Sequence, residues 1–110
     1  MTLPQNKGGI MEPIRCLLNT SSINNKTVNE YCLKSGKHIT EIITDLGNNN
    51  QSIKEIYKDT LGCPEKIVDK VFGKLEIYYP GKSCVIKESN GEKTILPNNT
   101  MDIIVNNLLK

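Results

Sequence analysis

A chain of 110 residues with a formal net charge of +2 has room for one domain and a modest core, and about a third of the surface exposed by the unfolded chain would stay exposed. Lysines alternate with acids along the whole length, which excludes a strongly basic nucleic-acid-binding tail and an acidic solvating segment. No apolar run is long enough to span a bilayer as a helix and none resembles a secretory signal, so a cytoplasmic protein without a membrane partner is expected.

Asn, Ile and Lys are abundant, Ala and Trp are absent, and Arg15 is the only arginine. Coding by an AT-rich genome accounts for this bias without any special asparagine chemistry. Cys16, Cys32, Cys63 and Cys84 form no CxxC pair and no Cys/His cluster. Reduced, mostly buried thiols are therefore expected, with no metal site.

Taken in order, residues 1–11 contain Pro4, Gly8 and Gly9 and lack an apolar period, which predicts a flexible tail ahead of a single domain over 12–110. Glu12 to Leu18 is either a helical turn opened by Pro13 or a short strand, and Asn19 to Lys26 reads as a loop. Thr27 and Glu30 have capping-box spacing, and Val28, Tyr31 and Cys32 begin an apolar stripe that ends at Ser35-Gly36. Ile39, Ile42, Ile43 and Leu46 fit a helix stopped by Gly47.

Ser52 and Glu55 have the same capping-box spacing, followed by Ile53, Ile56, Tyr57 and Leu61 at helical intervals. Gly62 suits a helix end and Pro64 the first turn of the next helix, whose stripe is Ile67, Val68, Val71, Phe72 and Leu75. Lys66, Lys70 and Lys74 recur at i,i+4 on another face of that helix. Over these residues the rhythm resembles that of the helix-turn-helix class, with a loop about one residue longer than its commonest spacing.

Beyond Leu75 the period changes to alternation. Ile77 and Tyr79 share one face and Glu76 and Tyr78 the other; Pro80-Gly81 marks a turn, Ser83 to Glu88 a second strand, Asn90-Gly91 a tight hairpin, and Lys93 to Leu96 a third strand. Thr100 is expected to cap a final helix with Met101, Ile104, Val105 and Leu108 on its apolar face. The expected fold is α+β: a compact helical domain with a helix-turn-helix-like pair, a two- or three-stranded antiparallel meander and a C-terminal helix, winged-helix-like overall. Its expected core is Ile42, Ile43, Leu46, Ile56, Leu61, Ile67, Val71, Phe72, Ile77, Ile86, Ile104 and Leu108.

Catalytic signals are sparse. His38 is the only histidine and has no acid partner nearby in sequence, and neither Gly8-Gly9 nor Pro80-Gly81-Lys82-Ser83 has the spacing of a phosphate loop. A non-enzymatic protein without cofactors is expected. The winged-helix expectation implies duplex DNA as partner, with Lys66, Lys70 and Lys74 on the recognition helix and Lys82, Lys87 and Lys93 on the wing. Glu65 and Asp69 on that helix and its lack of arginine oppose this reading. The alternative is a protein-interaction or assembly module that binds through Ile103 and Leu109 on the C-terminal helix or through a sheet edge.

Overall fold

Asn24, Asn48, Asn49, Phe72 and Asn90 adopt positive φ, and each lies at a chain reversal. Between reversals the sequence is rich in Ile, Val, Thr and Tyr, which suit a pleated surface. The computed structural model describes residues 14–108. It contains the strands β1 (Arg15–Ile23), β2 (Lys26–Leu33), β3 (His38–Gly47), β4 (Asn50–Lys58), β5 (Pro64–Val71), β6 (Lys74–Pro80), β7 (Val85–Ser89) and β8 (Glu92–Leu96), and then one helix, α1 (Thr100–Leu108). The eight strands form one antiparallel meander in chain order, so β1 and β8 are the two edges of the described sheet.

The register sorts the side chains into two faces. One carries Val28, Ile42, Ile56, Ile67, Tyr78, Val85 and Leu96, and α1 closes it with Met101, Ile104 and Val105. Ile42, Ile56, Ile67, Val85 and Met101 are the buried centre of this layer. Full burial of one such aliphatic side chain stabilises by about 1.5–3 kcal/mol, so a few of them decide whether a single sheet with one helix holds together.

The opposite face has no helix on it among the described residues, yet Ile39, Glu55 and Val68 are buried there. Long neighbouring side chains do the covering. Ile39 lies between its register partners Tyr31 and Tyr57. Arg15 stacks over the Tyr31 ring at 5.1 Å and reaches across to Glu55, with Nη1 3.4 Å from Oε2. In this way an edge strand is tied to β4, three strand positions inward.

The winged-helix expectation is overturned. Ser52 to Leu61 and Pro64 to Leu75 form no helices: β4, β5, the Phe72-Gly73 turn and the start of β6 occupy them. The helical stripes read at Val28–Cys32 and Ile39–Leu46 lie in β2 and β3. The physical reason is that both faces of the central strands bury apolar groups. Ile39 and Ile43 point to one face and Ile42 to the other, which in sequence imitates a helical stripe. The paired spacing of Ser52 and Glu55 misleads in the same way, since residues three apart meet on a helix but fall on opposite faces of a strand.

The C-terminal part agrees with expectation: β6, β7, the Asn90-Gly91 turn, β8 and the final helix are present. Within that helix Ile103 N donates to the Asn99 carbonyl at 3.1 Å, while the Thr100 hydroxyl donates to the Pro97 carbonyl at 2.7 Å. Thr100 therefore begins the first helical turn, and Asn99 takes the capping position. Of the expected core, Ile42, Ile56 and Ile67 are buried; Ile43, Val71, Ile77, Ile86 and Ile104 are half-buried; Leu46, Leu61 and Phe72 are exposed. The side chain of Leu108 and the expected tail over 1–11 lie outside the described residues. No described helix is long and apolar enough to cross a membrane.

Tyr78 gives this fold an alkaline limit. Its hydroxyl donates to Glu76 Oε1 at 3.2 Å, and burial, then the Glu76 carboxylate, push the phenol up to about 12 from its ordinary 10.0. A folded-state value above the unfolded one gives stability that is intact below about pH 10 and is lost as pH rises toward 12. The melting temperature of the wild type should fall across that window, and Tyr78→Phe should flatten the fall. An identical alkaline profile in the variant would assign the loss to other groups.

Candidate functional site: the hairpin tips and the β1 edge

The six lysines expected to meet nucleic acid do not form one surface. Lys66 and Lys70 lie on the uncovered face of β5, where Lys66 Nζ sits 4.5 Å from the Tyr57 ring centre and Lys70 Nζ 3.6 Å from Glu55 Oε1. Lys74 begins β6 on the helix-covered side, and Lys82 is in the β6–β7 connection. Lys87 is on the helix-covered side, 3.1 Å from Glu76 Oε2 and 5.9 Å from the centre of the Tyr78 ring. Lys93 is opposite Glu88 on the uncovered side. With no recognition helix, the geometry that linked these residues to a DNA groove is absent, and the DNA-binding, helix-turn-helix and winged-helix descriptions are withdrawn.

Two carboxylates stand directly opposed on the uncovered face, Glu41 on β3 and Glu55 on β4. Both are already held. Glu41 Oε1 accepts from Asn29 Nδ2 at 2.9 Å and from the Tyr31 hydroxyl at 3.2 Å. Glu55 accepts from the Tyr57 hydroxyl at 3.2 Å and from Arg15 at 3.4 Å, with Lys70 close by. Burial, followed by these carboxylates, raises the Tyr31 and Tyr57 phenols above their ordinary value. Such an arrangement fixes side chains rather than offering an unengaged base.

His38 faces Cys32 and Lys58 in register, a juxtaposition invisible to sequence spacing, but Cys32 Sγ donates to the Leu33 carbonyl at 3.4 Å. Among the described residues no group of His, Cys, Asp and Glu is placed to hold a metal ion. All four cysteines are free thiols, and the expectation of burial fails for Cys16 and Cys63, which are exposed; Cys32 and Cys84 are half-buried. A thiol reagent applied to the native protein should label Cys16 and Cys63 first and the other two more slowly, as mass mapping would show. Uniform rates at all four would contradict these exposures.

The strongest irregularity is at the tips of the β1–β2, β3–β4, β5–β6 and β7–β8 hairpins, which alternation places at one end of the sheet. A two-residue turn of the type that joins twisted strands tightly needs positive φ at both central residues, and Asn-Gly meets that demand best. Asn90-Gly91 does so with φ of 54° and 80°, and Asn48-Asn49 with 54° and 61°. At the β5–β6 tip the pair is Phe72-Gly73, with Phe72 at φ 51°. Phe72 is 68% exposed and borders a groove lined by Ile53, Val71, Leu75, Lys70 and Lys74.

The second irregularity is β1. Cys16 to Ile23 carries no charged residue, and Leu17, Leu18 and Ile23 are exposed along it. β8, the other edge, is shorter and starts Glu92-Lys93. β1 has one distortion, a register shift between Leu17 and Asn19.

No family model, curated protein or solved structure matches the chain.

The site therefore stands on its own geometry. Of the partner-contact residues expected on the helix, Ile103 is half-exposed on α1, and Leu109 lies outside the described residues. Phe72 escaped the sequence reading because it fitted an apolar helical stripe. Its position directly before a glycine and between two alternating segments was the available signal for a turn.

Proposed function

We propose that this protein is a non-catalytic assembly module that pairs with a second polypeptide strand along β1. The observation that carries this reading is the long, uncharged edge. Natural sheets blunt their edges with charge, proline, short strands or bulges, and from Cys16 to Ile23 only the bulge is present.

The second strand best supported is β1 of another copy. Antiparallel pairing about a two-fold axis near Thr20 brings no like charges together over Cys16–Ile23, because that stretch has none. On β8 the same operation would act on a strand with charged residues. Lys26, Val28 and Glu30 direct their backbone groups to β1, since the Asn25 carbonyl accepts from Asp45 N on the β3 side at 2.8 Å and strand residues alternate. Within β1 this turns the backbone groups of Asn19, Ser21 and Ile23 toward β2 and those of Thr20 and Ser22 outward.

Thr20→Pro removes an outward amide while leaving the β1–β2 ladder intact, which edge strands tolerate. Sedimentation of the wild type should show a dimer whose fraction rises with concentration, and Thr20→Pro should be monomeric with an unchanged circular dichroism spectrum. A wild type that stays monomeric at all concentrations, or a dimer that survives Thr20→Pro, would overturn the proposal.

A further inference from the structure

We propose that the β5–β6 hairpin tip is a docking point for a different partner protein: Phe72 enters an apolar pocket on that partner, and Lys74 meets a carboxylate at the pocket's rim. Phe72 is the only phenylalanine in the chain. It is also the only residue other than Asn and Gly with positive φ among those described. Asparagine tolerates this conformation because its short polar side chain bonds locally, and a phenyl ring has no such compensation. Asn24, Asn48 and Asn90 fill the positive-φ position at the three neighbouring tips. A bulky ring kept in this conformation while mostly exposed is an outlier that folding does not explain, and such outliers concentrate where ligands are held.

The surroundings select the kind of partner. Leu75 is exposed beside the ring, and Ile53, on the same face of the sheet, continues the apolar floor. Lys74 is exposed and has no ion-pair partner among the described residues, and Lys70 reaches the groove while half-exposed. A second copy docked tip to tip would set these lysines against their own equivalents, so charge favours an acidic rim on another protein. A bilayer fits less well: the other tips at this end present exposed Asn24, Asn48, Asn49 and Asn90, whose amides would lose water on insertion. A rigid two-residue turn suits an anchor, since the ring is held in position before contact. This surface is separate from the β1 edge, and Thr20→Pro leaves it intact.

Carboxymethyl-β-cyclodextrin, an apolar cavity ringed by carboxylates, serves as the probe, with neutral β-cyclodextrin and phosphatidylserine vesicles as comparisons. The carboxylated host should shift the Phe72 ring resonances and bind more tightly than the neutral one. Phe72→Asn should weaken it about tenfold, the loss expected of an interface anchor. Lys74→Gln should erase the preference for the carboxylated host and leave neutral binding unchanged. Phe72→Asn should also raise the melting temperature, because the turn then has its preferred residue. A lower melting temperature in Phe72→Asn would make the ring structural and overturn the proposal. Host binding that ignores Phe72→Asn, equal binding of both hosts, or vesicle binding that depends on Phe72 would each overturn it as well.

Discussion

Ile56→Ala is expected to destabilise the fold by roughly 2–5 kcal/mol, the range for truncating a fully buried aliphatic side chain. Ile56 is 0% exposed at the middle of β4, paired in register with Thr40 and Ile67, and it belongs to the cluster that α1 closes through Met101. Among the described residues one helix covers one face of the sheet, so few alternative side chains can collapse into the void. In a domain of this size each kcal/mol moves the melting temperature by about 4–8 °C. The urea midpoint should fall while the slope of the transition stays unchanged. Phe72→Ala is the contrast: with its ring outside the core, it should shift the midpoint little. Equal losses in the two variants would mean that the covered face is not the main core.

How much of this was legible depends on which faces each strand buries. β6 to β8 alternate visibly: Glu76, Ile77, Tyr78 and Tyr79 switch sides one by one, and Asn90-Gly91 names its own turn. The final helix shows too, because a single apolar face meets the sheet. β3 and β5 bury Ile or Val on both sides, and β4 buries Ile56 on one side and half-buries Ile53 on the other, so the two overlapping alternations sum to a helix-like spacing. β-branched density was the better guide there, with Ile39, Thr40, Ile42, Ile43 and Thr44 in one strand. The candidate site was less legible than the fold. Lys66 and Lys70 do share a face, but that face belongs to a strand and engages Tyr57 and Glu55. An exposed phenylalanine at positive φ and an uncharged edge are consequences of topology, and neither can be assigned before the strands are.

Arg15→Ala should cost about 1–3 kcal/mol, the penalty for leaving a buried polar group without one of its donors. Glu55 is only 6% exposed, and its carboxylate is held jointly by Arg15, the Tyr57 hydroxyl and Lys70. Arg15 is the member that crosses from the edge strand, and its stem and guanidinium also cover Tyr31. Losing it should loosen β1 preferentially, seen as faster amide exchange at Asn19 and Ser21 while β4 and β5 stay protected. Glu55→Gln separates charge from shape. If the ion pair carries the effect, Arg15→Ala should cost less in the Glu55→Gln background than in the wild type, by at least about 0.5 kcal/mol, the limit of additivity for independent sites. Additive losses would reduce Arg15 to a packing role over Tyr31. A β1 that exchanges no faster in Arg15→Ala would show that the neighbouring ladder alone holds the edge in place, without the tether to β4.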